Sequence, residues 1–95
     1  LKDLVVVPNP IQNDRDVRVF FPVQVPTGEA RLVVVTTAYR KVIDREVRGP
    51  FRKGTCVAPL ELLDDHGKPL ANGLYHLSIT AAGNPRSKGS FVLIR

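Results

Sequence analysis

With Cys56 as its single cysteine, the chain cannot close an intrachain disulfide. It has no Trp either, so the Cys–Trp–Cys core of antibody domains is excluded. No apolar run approaches the roughly 20 residues that a membrane-spanning helix needs, and no secretory leader is visible. The sequence lacks Met and opens on Leu1. It is therefore expected to be a processed or excised piece, with any targeting peptide outside it. There is no His-x-x-x-His, no Cys pair, no Gly-x-Ser-x-Gly elbow and no Gly-rich phosphate loop. "GPFRKG" at 49–54 lacks the closing Lys-Ser/Thr and the spacing of a Walker motif. No Asn-x-Ser/Thr sequon occurs. Without a nucleophile and base in recognisable arrangement, the expectation is a protein that is not an enzyme and uses no cofactor or metal.

What is present is a strong β signal. Eight Pro and seven Gly break the chain at short intervals, and Val-rich alternating runs fill the spaces between them. No ten-residue stretch carries a clean helical stripe. Seven strands are predicted: 2–7, 17–23, 30–37, 41–48, 55–62, 74–82 and 90–95. "PTGE" at 26–29 and "GPFRKG" at 49–54 read as turn and loop. "LVVV" at 32–35 is apolar on both faces, which marks a central strand. The poor alternation of 41–48 and Pro59 within 55–62 mark edges. Seven short strands in 95 residues predict one domain over 1–95, an all-β, seven-stranded antiparallel sandwich of Ig-like or fibronectin-like type.

Charge is uneven. The net charge is +5, and six of the 14 basic residues lie between 40 and 53: Arg40, Lys41, Arg45, Arg48, Arg52 and Lys53. A basic face attracts anionic partners such as acidic polysaccharide. The alternative is a solvated hairpin that protects a strand edge. Nucleic acid is disfavoured, because only Tyr39 and Phe51 flank these residues and base stacking needs interleaved aromatics. The acidic turn "DDHGK" at 64–68 lacks the ligand spacing of a calcium loop. It is read as an Asx-type turn. His76 follows Tyr75 on a strand, so the two point to opposite faces. With Tyr75 inward, His76 is a surface residue. Cys56, among apolar neighbours, is read as a buried, inert thiol.

Three segments in order carry a resemblance: "VVVPNPIQ" (5–12), "ARLVVVTTAYRKVIDREV" (30–47) and "DDHGKPLANGLYHLSI" (64–79). Together with the closing "SKGSFVLIR", they resemble the Ig-like domain of the bacterial flagellar hook-capping protein. That module is also found as the C-terminal sorting domain of type IX secretion cargo. Pro8, Asn9, Pro10, Gly67, Asn72, Gly73 and Tyr75 are the signature positions. Two departures stand out. Leu60-Glu61-Leu62 replaces a Trp-Asp-Gly, removing an aromatic from one end of the core. Tyr39 replaces the hairpin glycine, which predicts a different turn geometry, because Tyr is costly at positive φ.

The resemblance implies a non-catalytic module of an exported bacterial protein, extracellular, at the cell surface or in the periplasm, used in assembly, adhesion or sorting. The strand-rich ends leave sheet edges that can accept a neighbour's strand, so the expected partners are protein: further copies of itself, in a filament built through strand or edge contacts, or the rest of a larger exported chain. The alternative it implies is a C-terminal domain that a secretion translocon recognises.

Overall fold

The computed structural model describes residues 3–12 and 16–95. Within them the strands are β1 (Val5–Val7), β2 (Arg18–Val23), β3 (Thr27–Thr36), β4 (Lys41–Phe51), β5 (Gly54–Pro59), β6 (Gly73–Ala81) and β7 (Ser87–Leu93). They form a three-stranded sheet, β1-β2-β5, and a four-stranded sheet, β4-β3-β6-β7, with every strand pair antiparallel. The fourth strand pairs with the third. In the antibody constant type it would join the first, second and fifth. Among the described residues no helix is long and apolar enough to cross a membrane.

The period-two patterns set the inner faces. β2 turns Val19, Phe21 and Val23 inward, as its alternation predicts. β3 is central, and its inward Leu32 and Val34 meet Ile43, Leu77, Ile79, Phe91 and Leu93 in one buried core. The edges fall where predicted, on β4 and β5.

Several boundaries differ from expectation. The first strand is short, and Lys2 lies outside the described residues. The turn predicted at 26–29 comes earlier, because Asn84 pins Gln24 and Val25. Its Oδ1 accepts from both backbone N–H groups at 2.8 Å, and its Nδ2 donates to the Val25 carbonyl at 2.8 Å. Thr27 then already pairs with Phe51.

The loop predicted at 49–54 is mostly strand, since β4 runs on to Phe51. The Phe51 ring packs edge-on against Phe21 of the other sheet, centroids 5.4 Å apart, so burial pulls the segment inward. Gly49 permits this, because a Cβ there would sit 2.9 Å from the Phe51 ring. β5 stops at Pro59, and Leu60 instead donates its backbone N–H to Val17. Leu60 is buried in the core. β7 begins at Ser87, earlier than expected, with that serine facing the core.

The Pro-Asn-Pro segment closes an edge. The peptide bonds before Pro8 and Pro10 are cis. Between them, Asn9 accepts from Val92 N at 3.1 Å and donates to Ser90 O at 3.2 Å. Ile11 makes a parallel bridge to Leu93, donating to Val92 O at 2.7 Å and accepting from Ile94 N at 2.9 Å. Further back, the Asp3 carboxylate accepts from the backbone N–H of Lys88. An edge strand presents a row of open donors and acceptors, and on β7 this segment occupies them.

Tyr75 is inward and 6% exposed, while His76 is exposed, as predicted. Its ring stacks on Phe91 at 5.3 Å. Its hydroxyl donates to the Ala71 carbonyl at 2.5 Å, in the manner of a tyrosine corner. Burial pushes the hydroxyl's pKa up, so it stays a donor at neutral pH. Tyr75→Ala should destabilise the fold by about 3–5 kcal/mol, as for buried aromatics generally. Tyr75→Phe should cost about 1 kcal/mol, the usual worth of one hydrogen bond. Chemical denaturation checks both, and a loss under about 1 kcal/mol for the alanine variant would contradict the burial.

Candidate binding groove

Two cross-strand rows on the outer face of the four-stranded sheet build the groove. One runs Lys41–Val35–His76–Ser90 and the other Asp44–Val33–Ser78–Lys88. Directly opposed residues share a face, so two valines lie among polar side chains. This is why "LVVV" reads as apolar on both faces: Val33 and Val35 floor an open groove of about 520 Å³. Its rim carries Tyr39, Lys41, His76, Arg86 and Lys88, and among the described residues no Asp or Glu lines it.

Tyr39 is the unusual member. It sits at φ +61° in the β3–β4 turn. The expectation of a different turn geometry is therefore corrected: Tyr39 takes up the left-handed conformation itself. The turn holds it there. Tyr39 N donates to Thr36 O at 2.9 Å, Thr36 N to Arg40 O at 2.9 Å, and Arg40 N to the Thr36 hydroxyl at 3.2 Å. A type I turn followed by a left-handed residue is a common hairpin closure, usually with glycine at the last place. The left-handed backbone costs a residue with a Cβ about 1–2 kcal/mol. Tyr39 is nevertheless 82% exposed, and its ring lies nearly parallel to His76, 16° between planes with centroids 6.4 Å apart. Strained backbone carrying an exposed aromatic is a recurrent feature of functional sites.

The cations differ in how far they are compensated. Lys41 Nζ lies 3.0 Å from Asp44, which also meets Arg31 Nε at 2.7 Å. The Arg31 approach is close but off line for a hydrogen bond, so Asp44 Oδ1 gains an ion pair without an aligned donor. Contact with Arg31 first, and then with Lys41, holds the Asp44 carboxyl below the ordinary carboxylate range. Arg86 and Lys88 are exposed and join no ion pair among the described residues.

The six basic residues at 40–53 are not gathered in one place. Arg40 lies in the turn before β4, and Arg52 and Lys53 in the turn after it. Those turns are about 35 Å apart at the usual strand rise. Lys41 joins the groove. Arg45 lies opposite Leu32, on the core side of the edge, and reaches Glu61 at 3.6 Å and the Leu63 carbonyl at 3.3 Å. Arg48 is exposed further along β4.

The signature residues lie at turns and at the ends of strands. Asn9 caps β7, and Asn72 exchanges two hydrogen bonds with the Arg95 backbone, at 3.1 and 3.3 Å. Gly67 has φ +79° in the acidic loop and Gly73 opens β6. Asp64 makes the expected Asx turn, accepting from His66 N at 2.8 Å and Lys68 N at 2.9 Å. Those backbone bonds, Lys68 first, hold its pKa down. Asp65 turns to β4, accepting from Asp44 N at 3.1 Å while its own N–H donates to Val42 O at 3.2 Å. Among the described residues no cluster of His, Cys, Asp and Glu is arranged to hold a metal. Cys56 is half-buried, less than expected, with Sγ 3.1 Å from the Arg52 carbonyl.

Sequence reasoning missed Arg86 and Lys88 as residues that line the same groove as Tyr39. The signal was there in the register: once 30–37 and 74–82 pair antiparallel, Val35 and His76 share a row.

The second sheet presents a different surface. Val5, Phe20 and Val57 lie in one cross-strand row on its outer face, with Val5 and Val57 exposed.

No family model matches this chain, and no curated protein matches it. Two solved structures from Porphyromonas gingivalis share its fold. One is PorZ, an essential bacterial surface component of the type IX secretion system, at 17% identity and a TM-score of 0.64, covering 97% of this chain and 11% of PorZ. The other is dimeric latent PorU, at 15% identity and a TM-score of 0.74, covering 97% of this chain and 9% of PorU. The chain thus spans about a tenth of the proteins it matches.

Two outcomes follow from the site's geometry. Tyr39→Gly should stabilise the fold by about 0.5–1 kcal/mol, because glycine adopts this backbone without steric cost. A lower denaturation midpoint would show that the ring's contact with His76 outweighs the backbone strain. Stability should also fall in acid. The Asp44 and Asp64 carboxyls are depressed in the folded state, so their contribution is present above the unfolded value of about 3.9 and is lost as pH falls through the folded values. Denaturant midpoints measured from pH 5 downward should therefore decline, and Asp64→Asn should flatten that decline.

Proposed function

We propose that this domain is a non-catalytic interaction module of an exported bacterial protein, acting at the cell surface or outside the cell. Its role is sorting or anchoring in a type IX-like secretion route, and its direct partner is a protein component of that route. The observation that carries this reading is the fold similarity over 97% of the chain to a small part of two type IX secretion proteins. The Val5–Phe20–Val57 row, with both valines exposed and Phe20 half-buried between them, supports a protein partner, since apolar side chains on a sheet face favour docking.

The competing reading is a building block that polymerises through sheet edges. It has less support, because the β7 edge is occupied by Asp3, Asn9 and Ile11 and part of the β4 edge by Asp65.

Fusion of residues 1–95 to the C-terminus of a periplasmic reporter, in a host with a working type IX system, tests the proposal. Surface or extracellular reporter is the expected result. Retention in the periplasm would overturn it. Val5→Lys with Val57→Lys should block export while leaving the denaturation midpoint near that of the parent, because both side chains are exposed.

A further inference from the structure

We propose that the outer-face groove of the four-stranded sheet binds an acidic sugar residue, its ring against Tyr39 and the two valines and its acid group against Arg86 and Lys88. The groove combines two chemistries that this ligand needs together. Val33 and Val35 form an apolar floor, and the stacked Tyr39–His76 pair forms a flat wall. The C–H face of a pyranose is flat and weakly positive, and an aromatic face is negative. His76 and the Ser78 hydroxyl stand beside this surface as hydrogen-bonding groups for sugar hydroxyls.

Charge selects the acidic sugar over a neutral one. Lys41, Arg86 and Lys88 line the groove, and among the described residues no carboxylate does. Asp44 compensates Lys41, which leaves Arg86 and Lys88 to meet a carboxylate or phosphate by charge-assisted hydrogen bonds. A volume of about 520 Å³ suits a small ligand or one segment of a longer chain.

Other polyanions fit less well. An extended peptide binds by adding to an open sheet edge. This groove lies over β3 and β6, both paired on each side. Single-stranded nucleic acid stacks successive bases on several aromatics, and here one stacked pair is available. The strain at Tyr39 gains a purpose in this arrangement: the left-handed turn residue presents a ring where glycine would present nothing. The inference does not depend on how the domain is exported.

Calorimetric titration of the full chain tests it. The carboxylate probe is trigalacturonate and the phosphate probe is glucose 6-phosphate. The comparison ligands are a neutral galactose trimer, hexaglutamate and a short oligothymidylate. At least one acidic sugar should bind, more tightly than all three comparison ligands. Arg86→Glu with Lys88→Glu should weaken that binding by about tenfold or more. Tyr39→Gly should weaken it without lowering the denaturation midpoint, which separates loss of the ring from loss of the fold. Arg52→Glu with Lys53→Glu, at the far turn, should leave it unchanged. The proposal is overturned if neither acidic sugar binds, or if the neutral trimer, hexaglutamate or oligothymidylate binds as tightly. It also fails if the loss follows Arg52 and Lys53 in place of Arg86 and Lys88.

Discussion

The hydrogen bonds between the N-terminal segment and β7 are the constraint on which the rest of this structure depends. Residues 5–7 belong to the three-stranded sheet, and Ile11 pairs with the four-stranded one. One short stretch of backbone therefore ties both layers at the same side. It places Leu4, Val6 and Ile11 in the core and occupies the outward groups of β7. With that edge closed, β7 is not open to a further strand, whereas β1, β5 and most of β4 remain at sheet edges.

The two faces then have different characters. The three-stranded sheet shows an apolar row and the four-stranded sheet a basic groove with an aromatic wall. Both follow from the same antiparallel pairing, which stacks residues remote in sequence into rows. On the two proposals made above, the apolar face meets a protein and the basic groove a small anionic group.

Much of the fold was legible in the chain. Alternation in Val19, Phe21 and Val23 is a local signal, and it placed the β2 face correctly. Asn72-Gly73 and the Tyr75 that follows marked the start of β6 and its inward aromatic. The errors came where distant side chains overrode local turn chemistry. Phe51 extends β4 because its ring is buried against Phe21. Asn84 moves a bend to Gln24–Val25, across 59 to 60 residues of sequence. Tyr39 was legible as a replaced glycine, but its backbone was not, because three hydrogen bonds in the turn hold it against its own steric preference.

By itself the sequence determined the class of the protein: a β-sandwich with a central third strand, an inward Tyr75 and an outward His76. Period-two alternation and turn residues are local, and each is readable within a few positions. Which charges stand together was decided by tertiary structure. The basic residues dense in sequence at 40–53 are drawn out along a strand of about 35 Å, with alternate side chains on opposite faces. Arg86 and Lys88 come instead to Tyr39 and His76 through the pairing of β3 with β6 and of β6 with β7. Proximity along an extended chain is poor proximity in space, and in a sheet it is the register that makes neighbours.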